Sequence, residues 1–335
     1  SKDINPDILK HVAANYFEYK KSNTLVDYSD MIHQFVNKSH LCPTFDVVFI
    51  DEAQDLSPIQ WMMYDILKAN TKDMYLAGDD DQAIYAWAGA DVDRFIKEPA
   101  TEVVLKKSRR VPRKIQDMSN IIVNRIEGLR ADKQYYPREE DGSCIKINNL
   151  DNVDLTKDNW LILTRTRSKS VQIAKELKQR GIFFESKFFK SLNTKLHKAA
   201  VYYSRWSEGQ ELNQKEIDDV EDYMSDDNWN ELVPWFEAFD KANLEDKNYI
   251  RLLLSNKEKL SEPPRVKIST IHAAKGGESD NVLLVLDNAR KIRESVLKNV
   301  RKRDEEHRVW YVGVTRSRKN LYLMRAKIER YGYNL

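Results

Sequence analysis

Two clusters of carboxylates, each placed directly after an apolar run, mark where this chain could do chemistry. Val47, Val48, Phe49 and Ile50 lead into Asp51 and Glu52; Met74, Tyr75, Leu76 and Ala77 lead through Gly78 into Asp79, Asp80, Asp81 and Gln82. A short apolar run without alternation predicts a strand buried on both faces, as in a parallel sheet. The carboxyl end of such a strand is where ligands bind in open α/β sheets. Adjacent carboxylates repel, and they persist mainly where a cation or a polarised water lies between them; taken alone, Asp51-Glu52 also has the composition of an acidic surface turn. The repeat of the design suits a hydrated divalent cation and a phosphorylated ligand, because Mg²⁺ takes one or two carboxylates and completes its shell with water and phosphate oxygens.

The elements that must position these groups are legible in outline. Residues 1–40 read as helical, with apolar spacing at Ile8, Val12 and Tyr16 and again at Met31, Ile32 and Phe35. Pro58–Ala69 predicts a helix with proline in its first turn. Further along, Trp160–Thr164 and Val282–Leu286 predict buried strands, Val266–Thr270 and Leu321–Met324 further strands of the sheet, and Ser168–Arg180 an amphipathic helix stopped by Gly181. Between 187 and 262 the strand pattern disappears and Trp206, Trp229, Trp235 and Phe236 interleave with acids, which predicts a small helical insertion ending at Pro263-Pro264.

At 335 residues the chain exceeds one ordinary domain. Hydrophobic residues at 41% fill a core, while 32% charged residues and no apolar run near membrane-spanning length argue against a membrane protein. Cys42 and Cys144 have no metal-ligand spacing and read as reduced thiols of a cytoplasmic protein. The net charge of +2 hides an asymmetry: residues 211–246 hold 13 acids against Lys215 and Lys241, a net of −11 that leaves +13 on the remainder. A basic body with one acidic lobe suits a polyanion partner on the body. The stretch 290–303 has seven Lys or Arg against Glu294, a composition that an ordinary solvated face also has.

The segments DEAQD (51–55) and AGDDDQAIYAWAGA (77–90) resemble motifs II and III of the UvrD/Rep-like superfamily 1 DNA helicases. VVLKKSRRVPRKI (103–115) resembles motif IV, STIHAAKGGESDNVLLV (269–285) motif V, and EEHRVWYVGVTRSRKNLYLM (305–324) motif VI, all in family order. The resemblance implies an α/β fold of two RecA-like parallel-sheet domains: residues 1–100 as a first domain truncated at its N-terminus, 101–186 with 263–335 as the second, and 187–262 as its helical insertion, open to protein partners. It implies ATP hydrolysis with Mg²⁺ and movement along single-stranded DNA, 3′ to 5′, with the nucleotide in a cleft between the domains.

Residue by residue, the resemblance assigns Asp51 and Glu52 to Mg²⁺, with Glu52 also deprotonating the attacking water, and Gln82, Arg110 and Arg316 to the γ-phosphate. Lys275, Gly276 and Glu278 would serve the nucleotide, Glu278 at a ribose hydroxyl, with Arg308 in support. Arg109 stands where a tyrosine that stacks on adenine is common; a guanidinium also stacks on a flat ring. Tyr85 and Trp87 would stack on bases, and Arg165, Thr270 and His272 would meet the DNA backbone. Alternatives stay open at several positions: a salt-bridge partner for Arg165, a core histidine for His272, a basic helix start for Arg109-Arg110. Ala88 replaces the usual arginine.

No GxxxxGK[ST] occurs among the ten glycines, so weak or no nucleotide binding is expected of this chain alone, as for a fragment without the phosphate-binding loop. Two rival readings are a catalytically inactive, helicase-like DNA-binding scaffold and a metal nuclease using the acidic strand ends. The second leaves Gln82 and Arg316 unexplained.

Overall fold

The computed structural model describes residues 5–225 and 229–335, which form two compact units, 1–100 and 101–335. The fold is α/β with parallel sheets in both. In the first unit, α1 (Pro6–Ser22) and α2 (Tyr28–Asn37) precede β1 (Phe45–Ile50), α3 (Pro58–Ala69), β2 (Thr71–Leu76) and α4 (Val92–Lys97). Asp27 caps α2 in a reciprocal box with Asp30, and Lys20 from α1 bonds both carboxylates at 2.7–2.8 Å. Strands β1 and β2 pair in parallel from Phe45↔Thr71 to Ile50↔Leu76. Two further bonds, Ala77 N to Ile50 O and Ala53 N to Ala77 O, carry the pairing past both strand ends.

These strands depart from the expectation of burial on both faces. Phe49 is 75% exposed and Tyr75 54%, their rings stacked on each other at 5.0 Å. A two-stranded sheet gives each strand one neighbour, and α3, through the buried Trp61 and Tyr64, is the helix packed beside it. Apolar sequence marks what a strand could bury; its neighbours decide what it does bury.

The second unit buries the strands read as buried. Its elements are α5 (Arg113–Val123), β3 (Ser143–Ile147), β4 (Trp160–Thr164), α6 (Arg167–Gln179), β5 (Phe184–Ser186), α7 (Thr194–Ser207), α8 (Gln214–Glu221), α9 (Trp235–Ala238), α10 (Leu244–Ser255), β6 (Val266–Thr270), β7 (Ser279–Val285), α11 (Arg290–Lys298), α12 (Val300–Val314) and β8 (Ser317–Met324). Six parallel strands lie in the order β3-β8-β7-β4-β6-β5. Every residue of β4 is buried. On one face Ile162, Ile268, Leu283 and Val285 share a core with Leu177 of α6, Tyr203 of α7, Val220 of α8 and Leu253 of α10, so the helices of 187–262 pack on the sheet itself. On the other face α12 lies so close to β7 that a Cβ on Gly313 would meet Leu284 Cδ1 at 3.1 Å.

Candidate functional site

In the first unit the two acidic strand ends are joined by a chain of side-chain hydrogen bonds. Asp51 Oδ1 accepts from the Glu52 amide at 2.8 Å. Gln54, fully buried, donates from Nε2 to Glu52 Oε2 at 2.5 Å and accepts the Asp79 amide on Oε1 at 3.0 Å. Asp79 in turn accepts from Gln82 Nε2 at 2.8 Å. Gly78 permits this approach, since a Cβ there would lie 2.5 Å from Gln54 Oε1. Glu52 holds φ 52° and ψ 38°, a left-handed conformation that a side-chain-bearing residue adopts only where its surroundings impose it.

The donor set suits a hard cation. Asp51 and Glu52 are exposed carboxylates at a strand end, and among the described residues no group of three or more His, Cys, Asp or Glu could hold a metal. That leaves the one-or-two-carboxylate mode that Mg²⁺ uses beside phosphate and water. The aromatics stand close by. Burial, followed by the charges of Asp55 and Glu52, pushes the Tyr85 hydroxyl above its ordinary value, and Trp87 meets Tyr85 edge-on at 6.3 Å while remaining 70% exposed.

In the second unit the predicted residues divide between the two ends of the sheet. At the amino end, ahead of β7 and β8, Glu278 is bracketed by Arg318 at 3.1 Å and Arg110 at 3.8 Å. Arg316 is buried, with Nε donating to Val312 O at 3.0 Å and Nη1 to Gly277 O at 3.5 Å. Gly276 takes φ +83°, a conformation that favours glycine, between half-buried Lys275 and exposed Glu278. Arg109 is exposed one residue before the half-buried Arg110. A crossover of only eight residues, 271–278, leads here from β6.

At the carboxyl end, Thr270 closes β6 and Ile271 N bonds Thr164 O of β4 at 2.9 Å, bringing Arg165 beside half-buried Thr270 and His272. Arg165 grips Glu306 with bonds of 2.8–3.0 Å. Glu306 is 4% exposed and also accepts from Trp310 Nε1 at 2.7 Å and Asn288 Nδ2 at 3.0 Å. The salt-bridge alternative for Arg165 is therefore realised, with a buried partner rather than a surface one. Arg308, on the same helix, donates to Leu129 O at 3.0 Å.

Two family models match: the UvrD/REP helicase N-terminal domain over residues 2–101 and the UvrD-like helicase C-terminal domain over 189–327. The chain belongs to the UvrD/Rep-like helicase family. It is 31% identical over 144 residues to DNA helicase II of Escherichia coli K12, covering 38% of this chain and 20% of that protein. It is 25% identical over 190 residues to ATP-dependent DNA helicase PcrA of Leuconostoc citreum, covering 48% and 25%. A probable DNA helicase II homolog of Rickettsia felis is 23% identical over 465 aligned positions that take in all of this chain and 70% of the relative. The chain thus spans a quarter or less of the first two relatives' length. Among the described residues no helix is long and apolar enough to cross a membrane.

Within this helicase-family chain, three site residues (Gln54, Glu306 and Arg318) and the role of Asp79 as a link escaped the sequence reading. Gln54 and Asp79 join motif II to motif III, Glu306 anchors Arg165, and Arg318 pairs with Glu278. Gln54 and Asp79 sit inside the motifs themselves, where a polar residue flanking a catalytic acid is a usable signal. The partnership of Glu306 spans 141 residues and leaves no local trace.

Proposed function

We propose that this chain carries the motor of an ATP-dependent DNA helicase that moves along single-stranded DNA, 3′ to 5′. The observation that supports this most is the hydrogen-bonded chain Glu52–Gln54–Asp79–Gln82 at the ends of β1 and β2. It fixes a carboxylate and an amide relative to one another, as water activation and phosphate sensing require. The Glu52 carboxylate takes a proton from the water whose oxygen attacks the γ-phosphorus, and the bond to the β–γ bridging oxygen breaks to release ADP. Gln54 holds Glu52 in place, and Asp79 presents the Gln82 amide to the phosphate. Asp51, with Glu52 beside it, would hold Mg²⁺, which when bound would neutralise charge on the phosphate oxygens.

Arg110 and Arg316 offer forks of donors suited to phosphate oxygens. Lys275, Gly276 and Glu278 serve the rest of the nucleotide, with Arg109 at the base and Arg308 in support. Tyr85 and Trp87 stack on DNA bases at ~1–3 kcal/mol each without reading sequence. Thr270, His272 and Arg165 follow the backbone.

The test is ATP hydrolysis stimulated by oligo(dT), measured for the 335-residue chain and for the protein as its gene encodes it. Glu52→Gln is expected to lower turnover on the order of 10²- to 10⁴-fold with ATP binding retained. Hydrolysis in neither form, or turnover indifferent to Glu52→Gln, overturns the reading.

A further inference from the structure

The basic stretch 290–303 takes no part in the site described above, yet the fold places it at the carboxyl end of the same sheet. Helix α11 begins after Asp287 and Asn288, the residues that follow β7. Its start is tied to the nucleic-acid end of the sheet by a run of hydrogen bonds: Arg165 to Glu306 at 2.8 Å, Asn288 Nδ2 to Glu306 at 3.0 Å, and the Ala289 amide to Asn288 Oδ1 at 2.9 Å. A second tie, Lys169 to Asp287 at 3.2 Å, links α6 to the same turn, and Asp287 is 4% exposed. The buried Glu306 therefore sets Arg165 and the first turn of α11 in one frame.

The helix is built to present charge. At 100° per residue, Ile292 and Val296 fall on one side, and both are half-buried. Arg290, Lys291 and Lys298 fall within about a quarter-turn on the opposite side and are exposed, with half-buried Arg293 at the margin. Arg290 pairs with Glu294 at 2.7 Å, but Lys291, Arg293 and Lys298 have no ion-pair partner among the described residues. A solvated helix face commonly mixes signs so that its charges pair at i,i+4; here Glu294 is the one acid of the helix, shared between Arg290 and the charge of Lys298, and it leaves Lys291 and Arg293 in excess.

We infer that α11 is a further contact for the phosphate backbone of nucleic acid, continuing the row Thr270–His272–Arg165 across the carboxyl end of the sheet. The inference rests on the helicase reading, since that reading makes this end the DNA side. Adjacent strands lie about 4.8 Å apart, so the ends of β6, β4 and β7 advance across the sheet in steps close to a nucleotide's reach, and α11 takes up the path beyond β7. Lysines and arginines on a flexible stem bind phosphates without reading bases, and each phosphate neutralised adds about 0.9 to the slope of log K against log salt.

The experiment is a salt titration of binding to a long labelled oligo(dT), with the unaltered chain, the triple variant K291Q/R293Q/K298Q, and the charge-matched control K72Q/K146Q/K175Q, whose three lysines are all exposed. The α11 variant is expected to bind roughly 10- to 100-fold more weakly at 0.1 M salt, with a slope shallower by about 2 to 3; the control keeps the slope of the unaltered chain. Equal slopes for all three proteins overturn the inference and leave the helicase reading standing, as does an equal loss in the control, which would mark a net-charge effect. No oligo(dT) binding by the unaltered chain overturns both. Vesicles of phosphatidylserine and phosphatidylcholine form the last arm: an α11 variant that loses vesicle binding but not DNA binding assigns the helix to a lipid surface and overturns the inference.

Discussion

In residues 1–100, Glu52 and Gln82 stand on loops off a two-stranded sheet whose Phe49 and Tyr75 face water. In residues 101–335, Arg165 and Arg316 stand at the two ends of a six-stranded sheet covered by helices on both faces. The first unit fixes its reactive groups by side-chain bonds between loops, with Gln54 and Asp79 as the links. The second fixes them by burial, with Glu306 and the backbone carbonyls of Val312 and Gly277 as anchors. A group set in a packed core moves only with its whole element.

The sharpest way to break that comparison is to cut the anchor in the second unit. Glu306→Ala would leave Arg165 largely buried without its carboxylate and orphan the Trp310 and Asn288 donors. Removing one member of a buried pair costs about 3–5 kcal/mol, so urea unfolding of the chain should shift by that amount. The double replacement Arg165→Met with Glu306→Met should recover the part of the loss due to the stranded guanidinium, while the Trp310 and Asn288 donors stay without Glu306. A single-variant cost below about 1 kcal/mol would mean that α12 is held by something other than this cluster.

A matched pair of aromatic truncations sharpens the contrast further. Phe184 is fully buried beside Tyr249 and Phe189, whereas Phe49 is 75% exposed. Phe184→Ala should cost about 3–5 kcal/mol, and Phe49→Ala should stay within about 0.5 kcal/mol, as surface changes do. Comparable losses from the two variants, measured in the same urea titration, would show that β1 is buried in solution and would erase the difference between the sheets.

How much of this was legible depended on how far each property reaches along the chain. The apolar runs of β4 and β7 and the Leu321–Met324 part of β8 were readable because such runs are local, and the structure buries most of their residues. The same kind of run at 47–50 gave the right strand and the wrong burial, since coverage is supplied by neighbours that the run does not encode. Motif order singled out Asp51, Glu52, Arg110 and Arg316. It did not reveal Gln54 as the link to Asp79, a contact across 25 residues, or Glu306, which reads in sequence as one of three consecutive acids in a charged stretch.

Titration separates the units most gently. Burial, followed by the charge of Arg125, lowers the His307 pKa, and its Nδ1 lies 2.7 Å from the Tyr333 hydroxyl. The folded state therefore binds its proton less readily than the unfolded chain, whose histidine titrates near ~6.5. By linkage the stability tied to neutral His307 is complete above that value and is lost as pH falls below it, toward the lower folded value. In the first unit the Lys20 ammonium holds the Asp27 carboxyl well below the usual range, and bonding to the Asp27 amide, followed by Lys20, lowers that of Asp30. Depressed carboxylates contribute above their unfolded value of ~3.9 and fail only as pH falls beneath it. Hydrogen exchange read by mass spectrometry should therefore show protection of α12 declining between about pH 7 and 5, after correction for intrinsic rates, while α1 and α2 hold. His307→Gln should flatten the α12 profile, because it removes the titrating group. Simultaneous loss in both units, or an α12 profile unchanged by that substitution, would place the pH response outside this histidine and weaken the claim that burial governs the second unit.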